Sequence, residues 1–392
     1  MHLRLMTLML AAALSGCGTL ADPTTWWGDE DTGPKPAELQ ELKSGIDIQV
    51  LWKQDTGDGD SGQTLGLAPY VDAERVYLAD ADGAVLALNK VDGKPLWQVK
   101  LKDQLSGGPG VGEGLVMLGN AEGDLIALGS DDGVERWRTK LSSEVLSAPV
   151  AGFGTVLART GDGRVFGLDV AGGNVRWRLD RDIPVLTLRG NAAPVLSNGR
   201  ALVGLENGRL VSLELDRGQV VWESVVTVPS GRTELERIAD IDGAPLVLDR
   251  TVYVATYQGE IAALGEASGR KQWQRKMSAY TGLAIDWQRV YVSDDQGVLW
   301  ALDADTGQPD WSQNALAHRG LSGPAAIGGQ VAVGDFEGYV HFFDADSGQP
   351  TGRVRVGSAP IVAAPVVSEG RLYVLGSDGD FAVISLPGSM AR

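Results

Sequence analysis

PVAGFGTVLARTGDGRVFGLDVAGGNVRW, running from Pro149 to Trp177, is the stretch whose reading decides the fold. Ala148-Pro149-Val150 begins one strand, and Thr155-Val156-Leu157-Ala158-Arg159 alternates as a second. Gly161-Asp162-Gly163 is a hairpin turn of the kind that Asp-Gly favours. Arg164 to Asp169 reads as a third strand, Ala171-Gly172-Gly173 turns the chain, and Val175-Arg176-Trp177-Arg178 is a fourth. Period-two alternation with β-branched and aromatic residues specifies strands, and no helical period is sustained anywhere in this region.

The stretch is one copy of a repeat. A Trp recurs at Trp52, Trp97, Trp137, Trp177, Trp222, Trp273 and Trp311. Fourteen residues before six of these stands a turn glycine: Gly83, Gly123, Gly163, Gly208, Gly259 and Gly297. Gly338 and Gly379 extend the series. Fourteen residues before the turn glycines a Pro recurs, from Pro69 to Pro365, with Leu283 taking its place once. Two markers in one register define eight units, most of them 38 to 45 residues apart. Four-stranded units of about forty residues are the signature of a β-propeller, because a lone four-stranded sheet buries its faces only against neighbours. The expected fold is therefore all-β, an eight-bladed β-propeller with four-stranded antiparallel blades. The Trp residues are expected to pack between blades. Gly352 stands where the seventh unit should have its Trp, so something else must fill that junction.

Closure is also legible. The eighth unit has Leu372 to Leu375 and Phe381 to Ile384, then ends at Leu386-Pro387-Gly388 without a fourth strand. Ile48-Gln49-Val50-Leu51-Trp52 supplies one, with its own repeat Trp. The last blade is thus expected to be closed by the N-terminal strand, which leaves no open edge. Length alone suggests two or three domains. The repeat replaces that expectation with one propeller over residues 46–386 and a short tail at 387–392.

Composition narrows the function. The chain has 392 residues, 53 of them Gly, and a formal charge of −17. So acidic a chain repels phosphate, which argues against nucleic acid as a partner. One Cys excludes an internal disulfide and a Cys-based zinc cluster, and three His leave little for acid–base or metal chemistry. Asp80-Ala81-Asp82-Gly83 begins like a calcium loop but lacks the ligands that should follow. Gly59-Asp60-Ser61-Gly62 and Gly110-Val111-Gly112-Glu113-Gly114 match a protease turn and a dinucleotide fingerprint only superficially. His318-Arg319 lies in a connector and takes no assigned role. No cofactor and no catalytic residue is assigned.

The N-terminus reads as an address. Arg4 precedes the apolar run Leu5 to Leu14, and Leu14-Ser15-Gly16-Cys17 resembles a bacterial lipobox. That resemblance implies a signal peptide over residues 1–16, lipidation of Cys17, and a tether over residues 17–45. Gly18 rather than Asp after the Cys implies delivery to the outer membrane, with the protein held by its lipid anchor and facing the periplasm. Trp26-Trp27 interrupts the polar tether and reads equally as local packing or as a seat at the lipid interface.

Connector lengths single out one place on the ring. From a repeat Trp to the next Pro the usual count is 12 or 13 residues. From Trp52 to Pro69 and from Trp177 to Pro194 it is 17, and from Trp222 to Pro245 it is 23. All join the last strand of one blade to the first of the next, so they emerge on one face, and the last two are neighbours. They hold Ile183, Val185, Leu186 and Leu188 beside Arg189, and a charged run from Arg232 to Asp242. Apolar anchors with Arg and a polar rim suit a protein interface. Leucines folded inward under merely solvated charges suit the same residues. Turns such as that at Asp162 are expected on the opposite face.

Ala301-Leu302-Asp303-Ala304-Asp305-Thr306-Gly307-Gln308-Pro309-Asp310-Trp311 resembles the tryptophan-docking motif of quinoprotein-like (PQQ-like) propellers. Enzymes and binding proteins share that motif. Resemblance to PQQ-dependent dehydrogenases would imply a quinone cofactor, a bound Ca²⁺ and a catalytic carboxylate, but those enzymes are generally longer and the adjacent Cys pair many of them carry is missing. A second resemblance covers nearly the whole chain. Leu186-Thr187-Leu188-Arg189-Gly190, Thr233 to Asp242 and Gly334 to His341 resemble the BamB family of outer-membrane β-barrel assembly lipoproteins. That likeness implies a non-catalytic scaffold of the Bam complex that holds BamA, with nascent barrel proteins as a further candidate partner. It places the BamA contact on Leu186, Leu188, Arg189, Asp240 and Asp242. A propeller binding another envelope component is the remaining alternative.

Overall fold

Eight antiparallel sheets form the structure, a computed structural model that describes residues 34–42, 45–57, 59–60, 65–188 and 192–387. The expected signal peptide, Cys17, Trp26-Trp27, most of the tether, Arg189 and residues 388–392 lie outside the described residues. Blades are numbered here in chain order from Tyr70. Blade 3 shows the unit plan: Val150–Gly152, Thr155–Arg159, Arg164–Asp169 and Val175–Asp180, paired in that order. Its hairpins fall where the Gly-rich turns place them.

At seven of the eight junctions the first strands of successive blades touch, including that of blade 8 (Val366–Ser368) with that of blade 1 (Tyr70–Val71), so the ring is closed around them. The core is not one mass but eight apolar clusters, each straddling one junction between blades. Period-two alternation produces this. In blade 7, Val331 and Val333 face blade 6, while Ala332 between them faces blade 8.

Blade 8 closes as expected. Gln49–Asp55 pairs antiparallel with Asp380–Ser385, from Gln49 opposite Ser385 to Asp55 opposite Asp380. One strand was not foreseen. Gly66–Leu67 adds a fifth strand to blade 2, pairing parallel with Gly107 and Gly108.

The repeat Trp residues dock between blades by one device. Each lies over the glycine that ends the hairpin between third and fourth strands of the next blade. Trp273, for example, lies against Gly307, whose φ of +68° suits a residue without a side chain. Six of the indoles donate Nε1–H to a carbonyl of the same neighbouring turn at 2.8 to 3.0 Å, as Trp273 does to Ala304. The missing eighth Trp follows from closure. Blade 8 takes its fourth strand from the other end of the chain, so it has no such hairpin for a Trp to dock on. Ile46 and Ile48 fill that junction instead, packed over Gly352.

Strand parity corrects one expectation. A first strand begins where the connector delivers it, so the hairpin between second and third strands returns to the connector face. Gly161 N–H accordingly donates to the Glu144 carbonyl at 2.9 Å, and Gly163 abuts the Arg181 carbonyl. Asp162 lies on the connector face, not the opposite one. The opposite face carries the first hairpins, with Phe153 and Trp287 exposed at their tips.

Candidate functional site

The two long connectors meet. The first leaves blade 3 after Asp180 and carries Ile183, Val185, Leu186 and Leu188, all exposed, with Val185 87% accessible. The second leaves blade 4 after Val220–Val225 and folds on itself. A single helical turn, Leu235–Arg237, is held by a reciprocal cap: Arg232 and Thr233 N–H donate to Glu236 Oε2, and Glu236 N–H donates to Thr233 Oγ1. Much of the charge in this run is therefore paired locally, including Arg237 with Glu234 at 2.9 Å.

Beyond the turn the chain dives inward. Ile238, Ala239 and Ile241 are buried, and Ile241 packs onto Gly204 of blade 4. Alternation along 238–242 turns Asp240 toward the first connector. Leu188 N–H donates to Asp240 Oδ2 at 2.5 Å, a charge-assisted bond joining the two loops. Asp240 has no exposed surface. It therefore braces the backbone of Leu188 and has nothing of its own to offer a partner, whereas Leu186 and Leu188, at 44% and 40% exposure, do. Asp242 is half-buried beside it.

Burial pushes the carboxyls of Asp240 and Asp242 each up to about 7. Nearby charge adds to this, Glu206 acting on both and Asp240 on Asp242, while Arg159 opposes it. Asp240 Oδ1 and Asp242 Oδ2 have no hydrogen-bond partner among the described residues. Under the loops, Arg159 and Glu206 form a buried ion pair at 2.5 Å, with Arg159 also donating to the Ala192 carbonyl at 3.4 Å. A small polar cavity runs between this pair and Thr187.

Of the residues predicted for the site, the structure joins Leu188 to Asp240 directly, sets Asp242 next to them, and leaves Leu186 on the rim. Arg189 lies outside the described residues. Arg159 and Glu206 were not predicted. Arg159 had a signal: four residues before the other turn glycines stand Ala79, Gly119, Gly204, Ala255, Ser293, Gly334 and Leu375, none charged. No group of described residues is disposed to hold a metal. At Asp80 the suspected calcium loop is a hairpin, its Oδ1 accepting the Ala84 N–H at 2.7 Å.

Comparison with known proteins bears on the same ring. A family model described as outer membrane protein assembly factor BamB matches residues 47–102, 81–313 and 301–388. The outer membrane protein assembly factor BamB of Alkalilimnicola ehrlichii is 46% identical over 349 residues, 89% of this chain and 91% of that one. The crystal structure of BamB from Moraxella catarrhalis superposes with a TM-score of 0.80 at 28% identity, covering 87% of this chain and all of that one. A europium-containing methanol dehydrogenase shares the fold at a TM-score of 0.68 but only 14% identity, a likeness of architecture alone. With eight blades, N-terminal closure and sequence identity running along nearly the whole ring, the chain belongs to the BamB family of outer membrane protein assembly factors.

Proposed function

We propose that this protein is a non-catalytic scaffold of the outer-membrane β-barrel assembly complex, held at the periplasmic side of the outer membrane by a lipid on Cys17. Its work is to bind BamA through the paired connectors and so support folding and insertion of barrel proteins. One observation carries the reading. The Leu188–Asp240 bond ties the two longest consecutive connectors into one platform that holds Leu186 and Leu188 in solvent. Exposed apolar side chains on a braced backbone are what a protein interface uses as anchors. Asp240 and Asp242 act from below, as positioning residues, and Arg189 follows Leu188 in the same loop.

Truncating an interface anchor costs about 2 kcal/mol or more, against near zero at a rim. Leu188→Ala and Arg189→Ala are therefore expected to lose co-purification with BamA while keeping the wild-type melting temperature. Phe153→Ser and Trp287→Ser, on the opposite face, are expected to keep both. Normal BamA recovery by both loop variants would remove this site. The dehydrogenase alternative has its own test, dye-linked alcohol oxidation after addition of PQQ and Ca²⁺, in which the expected result is no turnover.

A further inference from the structure

Five side chains grouped around His318-Arg319 and the stretch from Gly334 to His341 take no part in the partner platform. Arg319 is only 4% exposed. Its Nε donates to Oδ2 of the fully buried Asp335 at 2.9 Å, and Nη2 lies 2.8 Å from the same oxygen. Glu337 also takes Nη2, and His341 Nε2 lies 2.9 Å from Asp335 Oδ2. The Phe336 ring stacks on the guanidinium at 4.8 Å. What remains is Nη1, and it donates to the main-chain carbonyl of Ala37 at 3.0 Å.

Ala37 is held from both sides, since its N–H donates to the Ala317 carbonyl at 2.9 Å. Two residues on, Leu39 packs into the apolar cluster between blades 6 and 7, against Leu316 and Phe343. A buried guanidinium with two acids contributes little net stability, because desolvation offsets the attraction. Its yield is geometric: a planar fork fixed on one edge and aimed from the other. Here it is aimed at one carbonyl of the N-terminal segment, 282 residues away in sequence.

We propose that residues 36–42 form a latched strap, with Arg319 as the latch and Asp335, Glu337 and His341 as its positioning residues. The connector from blade 6 to blade 7 holds Ala317 and Arg319, so the strap is seated on the connector face. The strap belongs to the same compact unit as the ring, so that unit begins at Pro36 rather than at residue 46. The latch stands apart from the partner-binding reading. Only the coincidence of strap and platform on one face rests on it.

Hydrogen–deuterium exchange of the full lipidated chain in detergent, without BamA, tests the latch. The wild-type strap should exchange at least ten-fold more slowly than an unstructured peptide. Leu39→Asp, and Arg319→Lys, which keeps the charge but loses the fork, should each speed exchange of residues 36–42 ten-fold or more. The outer strand Pro309–Gln313 should keep its protection in both. Three results would overturn the proposal: a wild-type strap exchanging at the peptide rate, unchanged strap exchange in both variants, or loss of protection throughout the ring in Leu39→Asp, which would make the segment core and not strap.

Discussion

Gly307 shows how much a single hydrogen can decide. An added Cβ would lie 2.5 Å from the Trp273 ring, on a backbone with φ of +68°. Gly307→Ala is expected to destabilise the protein by at least about 2 kcal/mol, the sum of a left-handed residue and a displaced indole, read as a fall in urea midpoint. The buried acids make a second claim at this scale. Asp240 and Asp242 titrate near 7 when folded and near 3.8 when unfolded. The folded state thus holds protons that the unfolded state has released. Their contribution is fully present below about pH 4 and is lost as pH rises to about 7. Asp240→Asn, which can still accept the Leu188 N–H, should flatten the decline in melting temperature between pH 4 and 7. The Trp and Gly positions were legible because each is one of seven or eight equivalents. Burial of Asp240 was not, since the turn inward at Ile238 depends on the groove beside Gly204, a tertiary feature.

Strands and turns gave up their pairing readily and their faces less so. Hairpin lengths and alternation located the blades, and the missing fourth strand of blade 8 located its donor. Asp162 lies on the connector face because the second strand carries the chain back to it. Gly66–Leu67 has two residues and pairs in parallel, so neither length nor alternation announced it. The Trp-less junction allows a sharp test. Restoring the repeat residue with Gly352→Trp should destabilise the ring, because an added Cβ alone would come within 2.7 Å of Ile48 Cδ1 and the indole would find no hairpin to dock on. A raised or unchanged melting temperature would show that Ile46 and Ile48 only occupy space that the ring does not need.

At the scale of the molecule, stability is divided among eight junctions of similar make, and specificity is gathered where the make changes. Arg159 stands where the other blades have an uncharged residue and pairs with Glu206 beneath the platform, and Arg319 with Asp335 holds the strap on the same face. Repeats made the architecture readable from sequence alone. Departures from the repeat marked the sites, although what each departure builds depends on neighbours brought together by the ring. Closure between Gln49–Asp55 and Asp380–Ser385 also sets an order of events in time. The strand of the propeller that is made first pairs with the strand of the propeller that is made last. Until residue 385 has been made, the growing propeller is an open arc with the unpaired strand Gln49–Asp55 at one end, so the ring can close only after its last strand exists.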